Sequence, residues 1–600
     1  NLMIGGGAGH NAKVDTTEST YVGYNAGANA SGATNTFVGA SAGVSTNTGT
    51  GLTAVGSNAL KTITGSYNTA IGWGAMADGA GDAGSNVAVG HRSLQAITTG
   101  DRNVGIGSYG LAAVTTHNDN TSVGDEAGKQ VNSSNNTIMG SRAGEKLDDT
   151  TNGAGGNTIV GAWAGRGDNG TFSGAYNVIM GAYAMNANAL TTAEQNVAIG
   201  YKALSGSTTA SRNIVIGNEA ALVTTTGADN VVIGNKALDS NNGNYNVIIG
   251  QSAAQGATTM DASTVIGREA MGGGVPTGDY NTAIGYQTLY QVGTGAESNT
   301  ALGHRAGYGH TTGDDNTYLG TNAGFGSTTA NSNAVVGKDA LKGSQDSSTG
   351  GQNAVIGVEA GKVATGMRNV MLGFRAGYTA TSAQQNVYVG YEAGQKFTTG
   401  DNNVALGPKA GPSSTSTASN QLYIHNDSGT PLIGGDFSAG TITFNGDIDI
   451  TSAKTISASA TPVAQIKDDT GFIMQDNQGI KSASAALDQW PLDGGTGKAT
   501  AQVQGYSKIQ NITTAGIDPA SVPSFEVKLP TAAVGAEYVI VFGSNQANLS
   551  GKALTLIANG SDVIHSGSAT PSSITFAKHT GESIHFIAFE ANRWKVLSHT

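Results

Sequence analysis

Six hundred residues with 91 glycines, 12% charged and 6% aromatic residues do not make an ordinary enzyme composition, and the glycines lack collagen's every-third period. A formal charge of −12 argues against nucleic-acid or acidic-membrane partners, which need basic patches, and no run of about 18 apolar residues offers a membrane span. The absence of cysteine excludes disulfides, thiol chemistry and Cys-based zinc sites, so stability has to come from stacking and association.

From Asn1 onward one pattern returns: asparagine, two or three strand formers, glycine, any two residues, alanine. Asn68, Ile71, Gly72 and Ala75 form one copy; Asn196, Ile199, Gly200 and Ala203 another; Asn353, Ile356, Gly357 and Ala360 a third. Aligned on the glycine, 24 windows run from Gly5 to Gly407 at intervals of 16 to 21 residues. Such self-similarity marks a repeat architecture. The residue before this anchor glycine is Ile, Val, Leu or Met in all 24 windows, and two positions earlier it is mostly Thr or Val. With so few strand formers per window, each is a short strand and not a helix. No repeat can bury a core alone. Stacked in parallel, the coils predict an all-β solenoid, or β-roll, with these aliphatic residues lining its interior.

Asparagine stands four residues before the anchor in 21 of 24 windows, with Ser19, Leu52 and Ser263 the departures. Stacked at the ~4.8 Å strand spacing, these amides predict a hydrogen-bonded ladder, and asparagine also suits a tight corner. Alanine three after the anchor, again in 21 of 24 windows, suits a thin coil that a larger residue would overpack. The anchor itself is expected to supply a backbone conformation or a close approach that a Cβ forbids.

The Asn-x-x-Ile-Gly-x-x-Ala unit resembles the left-handed parallel β-roll repeat of trimeric autotransporter adhesin heads, and equally the same repeat in bacteriophage tail fibres. It covers residues 1–411, about 24 coils of about 17 residues. The resemblance implies a homotrimer. Turn-rich spacers such as Thr98-Thr99-Gly100-Asp101 and Thr398-Thr399-Gly400-Asp401 read as exposed turns, and the shaft would be a rod on the order of 110 Å at ~4.8 Å per coil. Asn1 already occupies the asparagine slot, which leads us to expect an attachment part, a virion protein, upstream of residue 1.

Pro408, Pro412 and the polar run Ser413 to Ser419 read as a boundary. Residues 412–500 form a cap and connector, with strands expected at Gln421 to His425, Thr430 to Ile433 and Thr441 to Phe444. The phrase Asn-Gln-Leu-Tyr-Ile-His-Asn followed by Gly-Gly-Asp-Phe-Ser-Ala-Gly is similar to segments that end such rolls in phage fibres. Residues 501–600 change character. Six alternating strands are predicted, from Phe525, Glu537, Ala553, Ser572, Ser583 and Trp594, giving a small antiparallel sandwich or jelly roll. Val527-Lys528-Leu529-Pro530 and the closing Arg593-Trp594-Lys595-Val596 resemble C-terminal domains of phage appendage proteins.

No catalytic, cofactor or metal site is expected. The carboxylate pairs Asp125/Glu126, Asp148/Asp149, Asp314/Asp315 and Asp468/Asp469 read as solvated turn charges, since a glycosidase needs two carboxylates facing one groove. His565, His579, His585 and His599 could meet on a trimer axis around a metal, but no fixed ligand spacing is present, and they read as surface residues. Tyr24, Trp73, Tyr201, Tyr286 and Tyr391, each directly after an anchor, are candidates for stacking on sugars, or more simply for filling a subunit rim.

The expectation is therefore a structural and adhesive fibre of a phage tail or virion, extracellular and trimeric. It would attach to a host-surface glycan or protein receptor through its C-terminal tip by threefold avidity. A bacterial trimeric surface adhesin is the first alternative, although no coiled-coil stalk or anchor strands follow the roll. A tailspike-like polysaccharide depolymerase is the second. An ice-binding solenoid would need regular exposed threonine arrays, whereas threonine here is read on the inward face.

Overall fold

The computed structural model describes residues 1–446 apart from 13–16, 46–47, 148–154, 168–169, 187–191 and 344–350, and beyond them the backbone of nine strands between 499 and 599. Two compact units divide the chain, Asn1–Asp449 and Ile450–Thr600. Both are all-β, with no helix among the described residues.

The first unit is a β-solenoid. Its 24 three-residue strands run from β1 (Leu2–Ile4) to β24 (Val404–Leu406), each ending at an anchor glycine. Each pairs in parallel and in register with the same strand of the next coil. In β5 (Thr69–Ile71) and β6 (Val87–Val89), for example, Thr69, Ala70 and Ile71 face Val87, Ala88 and Val89.

A three-residue strand turns its first and third residues to one face and its centre to the other. The centre is the buried one in every strand from β2 (Thr20–Val22) to β24. This overturns the expected orientation. Ala70, Ala198 and Val355 are inside, whereas Ile71 and Ile356 are 40% and 48% exposed and Ile199 is half-buried on the outer face. The threonine column, Thr69 included, lies outside with them. The period of two tells which residues share a face but not which face is closed over. Closure is decided after the anchor, where the chain folds back across the centre residue and buries Ala75, Ala203 and Ala360 against it.

The anchors make that turn possible. Gly72, Gly200 and Gly357 have φ of +134°, +137° and +142°, a region that side chains rarely enter. A Cβ on Gly200 would also stand 2.3 Å from the carbonyl oxygen of Gly217 in the next coil. Both expected roles of the anchor hold together.

The asparagine ladder is present. Asn86 donates through its backbone N–H (2.9 Å) and Nδ2 (3.1 Å) to Oδ1 of Asn68, and through Nδ2 to the carbonyl of Gly100 (2.9 Å). The same links run from Asn68 to Asn246 and resume from Asn281. At Ser263 the hydroxyl accepts the Asn281 N–H at 3.1 Å in place of an amide oxygen. The corner conformation falls to the residue before, as Tyr67, Gln195 and Gln352 have φ of 64°, 58° and 61° while the ladder asparagines do not.

A second, outer ladder stands two residues before the first. Oδ1 of Asp101 accepts the Gly84 N–H at 2.7 Å, and Oδ1 of Asn118 accepts the Asp101 N–H at 2.7 Å. Asp314, Asn331 and Asp401 cap their neighbouring coils in the same way. The aspartates of the Thr-Thr-Gly-Asp spacers are therefore rungs as well as turn residues.

Many coils balance their own core volume, although Ala301 with Gly307 and Ile179 with Met185 do not. Where the strand centre is large, as in Tyr21, Phe37, Ile138, Tyr318 and Tyr388, the fourth residue after the anchor is Gly27, Gly43, Gly144, Gly324 and Gly394. Where the centre is Ala70, Ala88, Gly105 or Ala198, that residue is Met76, Leu94, Leu111 or Leu204. A Cβ on Gly394 would meet the Tyr388 ring at 2.4 Å. In these coils the two positions share one space.

Parallel pairing continues past Gly411, because β25 (Gln421–Ile424) adds to β24 with Leu422 opposite Val404. Then β26 (Ile433–Asp436) and β27 (Thr441–Phe444) extend the sheet antiparallel. In the second unit all six predicted strands are present to within a residue or two at their ends: β30 (Ser524–Lys528), β31 (Glu537–Phe542), β32 (Ala553–Ile557), β34 (Ser573–Ala577), β35 (Ser583–Glu590) and β36 (Arg593–His599). Joined by β28 (Ala499–Gln502), β29 (Gln510–Ile512) and β33 (Val563–His565), they make two sheets ordered β28-β30-β32-β34 and β29-β31-β35-β36-β33. Pairing is mixed, not wholly antiparallel as expected: β30 lies parallel to β28 and β32, and β29 to β31.

Candidate assembly and receptor-binding surfaces

The outer face of the solenoid sheet carries two columns, fixed by the strand geometry. One is Ile, Val, Leu or Met before each anchor; the other is Thr, Val, Ile or Ala two residues earlier, with Leu2 in the first strand. Met139, Met180, Ile214, Leu302 and Ile356 are each 40% exposed or more. An apolar stripe that runs for more than twenty coils far exceeds the scattered apolar residues of an ordinary surface. The threonine column is interrupted by Val178, Val197 and Ile214, so it is not the regular array that ice recognition requires.

The edges of the sheet are polar. Residues two after the anchor form a row in which opposite charges meet across coils, Glu126 with Arg142 at 2.8 Å and Glu359 with Arg375 at 2.6 Å, while Lys129 and Lys362 of the same coils bond the two glutamates at 2.8 and 2.6 Å. Hydrogen bonds from these cations, led by Lys129 and Lys362, hold both carboxyls below the usual glutamate range. At the corner, Arg102 grips Asp119 at 2.7 and 2.9 Å, and Arg212 grips Asp229 at 2.7 Å through both nitrogens. These hydrogen bonds lower both aspartates. Being exposed, such pairs contribute little stability each; their regular alternation favours one stacking register.

The candidate carboxylates do not converge. Glu126 is engaged with two cations, whereas Asp125 points to solvent. Asp314 caps Glu297, and Asp315 sits beside it in the left-handed corner position. Asp148/Asp149, Asp468/Asp469 and the side chains of His565, His579, His585 and His599 lie outside the described residues. Among the described residues no group of three His, Asp or Glu is placed to hold a metal, and no helix is long and apolar enough to cross a membrane. A cavity of about 170 Å³ at the end of the solenoid, lined by Glu392, Lys396, Lys409 and Pro412, mixes both charges without a converging pair.

Several aromatic candidates are consumed by stacking along the axis. Trp73 lies on His91 at 5.1 Å, Tyr286 on His304 at 5.4 Å and Phe374 on Tyr391 at 5.4 Å. Tyr201 meets the edge of Tyr183 at 6.1 Å, and Tyr24 is exposed. Rings stacked on each other present mainly edges outward, which suits a rim and not a sugar platform. Sequence reasoning passed over the outer ladder and the corner tyrosines, although the fixed interval of both to the anchor was available as a signal.

These features define an all-β solenoid with an unpartnered apolar sheet face. No family model, no curated protein and no solved structure matches the chain.

Proposed function

We propose that this chain is a structural and adhesive fibre: a homotrimer whose solenoid shafts pack through their sheet faces and whose C-terminal unit, read as a sandwich or jelly-roll tip, attaches to a host-surface glycan or protein. The observation that carries this reading is the exposed aliphatic column. A face of that length in water favours association, with about 1 kcal/mol gained per half-exposed aliphatic side chain that is covered. Closed threefold symmetry would bring three such faces onto one axis and leave the charged corners in solvent. The tail or virion of a phage, outside the cell, is the setting the repeat's resemblance implies, with a bacterial surface adhesin as the alternative.

Light scattering tests it: the proposal requires a particle of three times the 60.0 kDa chain mass. A monomer at micromolar concentration would refute the trimer. Incubation with capsule or lipopolysaccharide separates binder from depolymerase; the fibre binds cells and releases no new reducing ends.

A further inference from the structure

We propose that Tyr67, Tyr176, Tyr245 and Tyr280 form a carbohydrate-binding face along one corner of the shaft, with Tyr245 and Tyr280 as its principal site for an uncharged polysaccharide lying along the axis. The proposal rests on the adhesive reading above and moves a binding function from the tip to the shaft.

All four occupy the corner position before the ladder asparagine, with φ of 64°, 56°, 61° and 60°. A left-handed conformation costs a residue with a Cβ on the order of 1 kcal/mol, least for asparagine or aspartate. Other coils fill this position with Asp119, Asn135, Asp229 or Asn402, and also with Arg102, Gln195, Arg212 or Ser298. Tyrosine gains little there for the fold, since each of the four is 64 to 70% exposed.

The rings of Tyr67 and Tyr176 lie against the coil before. A Cβ on Gly51 would meet the Tyr67 ring at 2.9 Å, and one on Gly156 the Tyr176 ring at 2.9 Å. The next coil places Ser85, Gln195, Ala262 or Ser298 in the same position, so nothing aromatic covers the outer side. These rings thus differ from Trp73 and Tyr286, whose faces are spent on neighbours. A flat, open ring offers the surface on which the C–H face of a pyranose packs.

Their spacing fits a linear polymer. The tyrosines precede β5, β11 (Val178–Met180), β15 (Val247–Ile249) and β17 (Thr282–Ile284), so successive steps span six, four and two coils. Every step is an even number of coils, ~29, ~19 and ~10 Å at ~4.8 Å each. A polysaccharide whose alternate sugars present the same face meets such a row in phase. Isolated rings separated by non-aromatic residues, Ala262 between the principal pair and Ser85, Arg102, Gln195 and Arg212 among those between the others, are unlike the clustered anchors of a protein interface.

The chemistry beside the principal site is that of sugar hydroxyls. Asn244, Asp261 and Asp279 stand in the adjoining outer ladder, where one Oδ1 of each accepts a backbone N–H of the coil before. Arg212, the nearby cation, is tied to Asp229. The negative balance of this corner selects against acidic polymers.

Affinity electrophoresis of the full chain through gels carrying mannan, galactomannan or dextran tests the site. At least one should retard the protein, and the Tyr245→Ala/Tyr280→Ala variant should bind it about tenfold more weakly. Tyr67→Ala/Tyr176→Ala should lose less, and Tyr245→Trp should retain binding. No retardation by any of these polymers, retardation unchanged in the double variant, or stronger retardation by alginate overturns the proposal. A double variant with altered particle mass would instead assign the rings to a subunit seam. If the wild type is trimeric and adheres to cells but the double variant adheres and migrates identically, only the tyrosine face falls. A monomer whose retardation is lost in the double variant keeps the face and refutes the fibre.

Discussion

Single residues carry this fold where the backbone has no alternative. Gly217 has φ of +148°, and a Cβ there would stand 2.3 Å from the Gly234 carbonyl; strain and clash together should cost Gly217→Ala about 3 kcal/mol or more. Gly440, at +65° with open space around it, should lose only about 1 kcal/mol as alanine. Denaturant unfolding of the two variants checks the contrast. His310 tests the interior electrostatically. It is fully buried, its Nε2 2.7 Å from the Gly313 carbonyl and its Nδ1 3.5 Å from the Tyr318 hydroxyl. Burial pushes its pKa below the ordinary value, opposed by hydrogen bonds to Gly313 and Ser327 and by Asp314. A depressed histidine leaves the native state neutral while the unfolded chain takes up a proton, so its contribution is complete above about pH 6.5 and falls as the pH drops below it. The protection factors of amides in the strands Thr300–Leu302 and Thr317–Leu319, exchange rates taken relative to the unstructured chain at the same pH, should fall on acidification below about pH 6.5 by up to about tenfold per pH unit, and His310→Phe should remove that slope.

Between coils, the ladders set the register. Asn213 accepts the Asn230 backbone N–H at 2.9 Å and its Nδ2 at 3.0 Å, so Asn213→Ala leaves buried donors unmet and should cost about 2 to 4 kcal/mol. Ser263 is a natural break, and Ser263→Asn should restore the amide link and add about 1 kcal/mol, read as a higher melting temperature. Within a coil, the volume exchange predicts a coupling. Ala198→Phe should overpack against Leu204 by about 1 to 3 kcal/mol, and adding Leu204→Gly should recover most of it. A double-mutant cycle measures this, and strict additivity would refute the shared space. Much of this was legible beforehand, because asparagine at one spacing and glycine at another have few other uses. The outer ladder was hidden because Asp, Asn and Ser alternate in it and no single residue type repeats.

Over the whole molecule the sheet face is the surface through which the proposed trimer would associate. Ile214 and Ile356 are 42% and 48% exposed on the outer columns, and Ile214→Glu with Ile356→Glu should dissociate the proposed trimer while leaving each coil's interior intact. The expected readout is a monomer mass with an unchanged strand signal in circular dichroism; a trimer that survives both changes would show that the faces pack elsewhere. Repetition in the chain was enough to establish an all-β stack of about two dozen coils, the position of each strand, and the amide ladder that ties coils together, because these follow from local spacing. It could not tell the inside from the outside. Ala70 and Ile71 are both apolar, and three-residue strands offer both faces equally. That choice was made only when the chain, turning at Gly72 and its counterparts, closed over the strand's centre residue, whether Ala70 or Tyr388, and left its two neighbours facing outward.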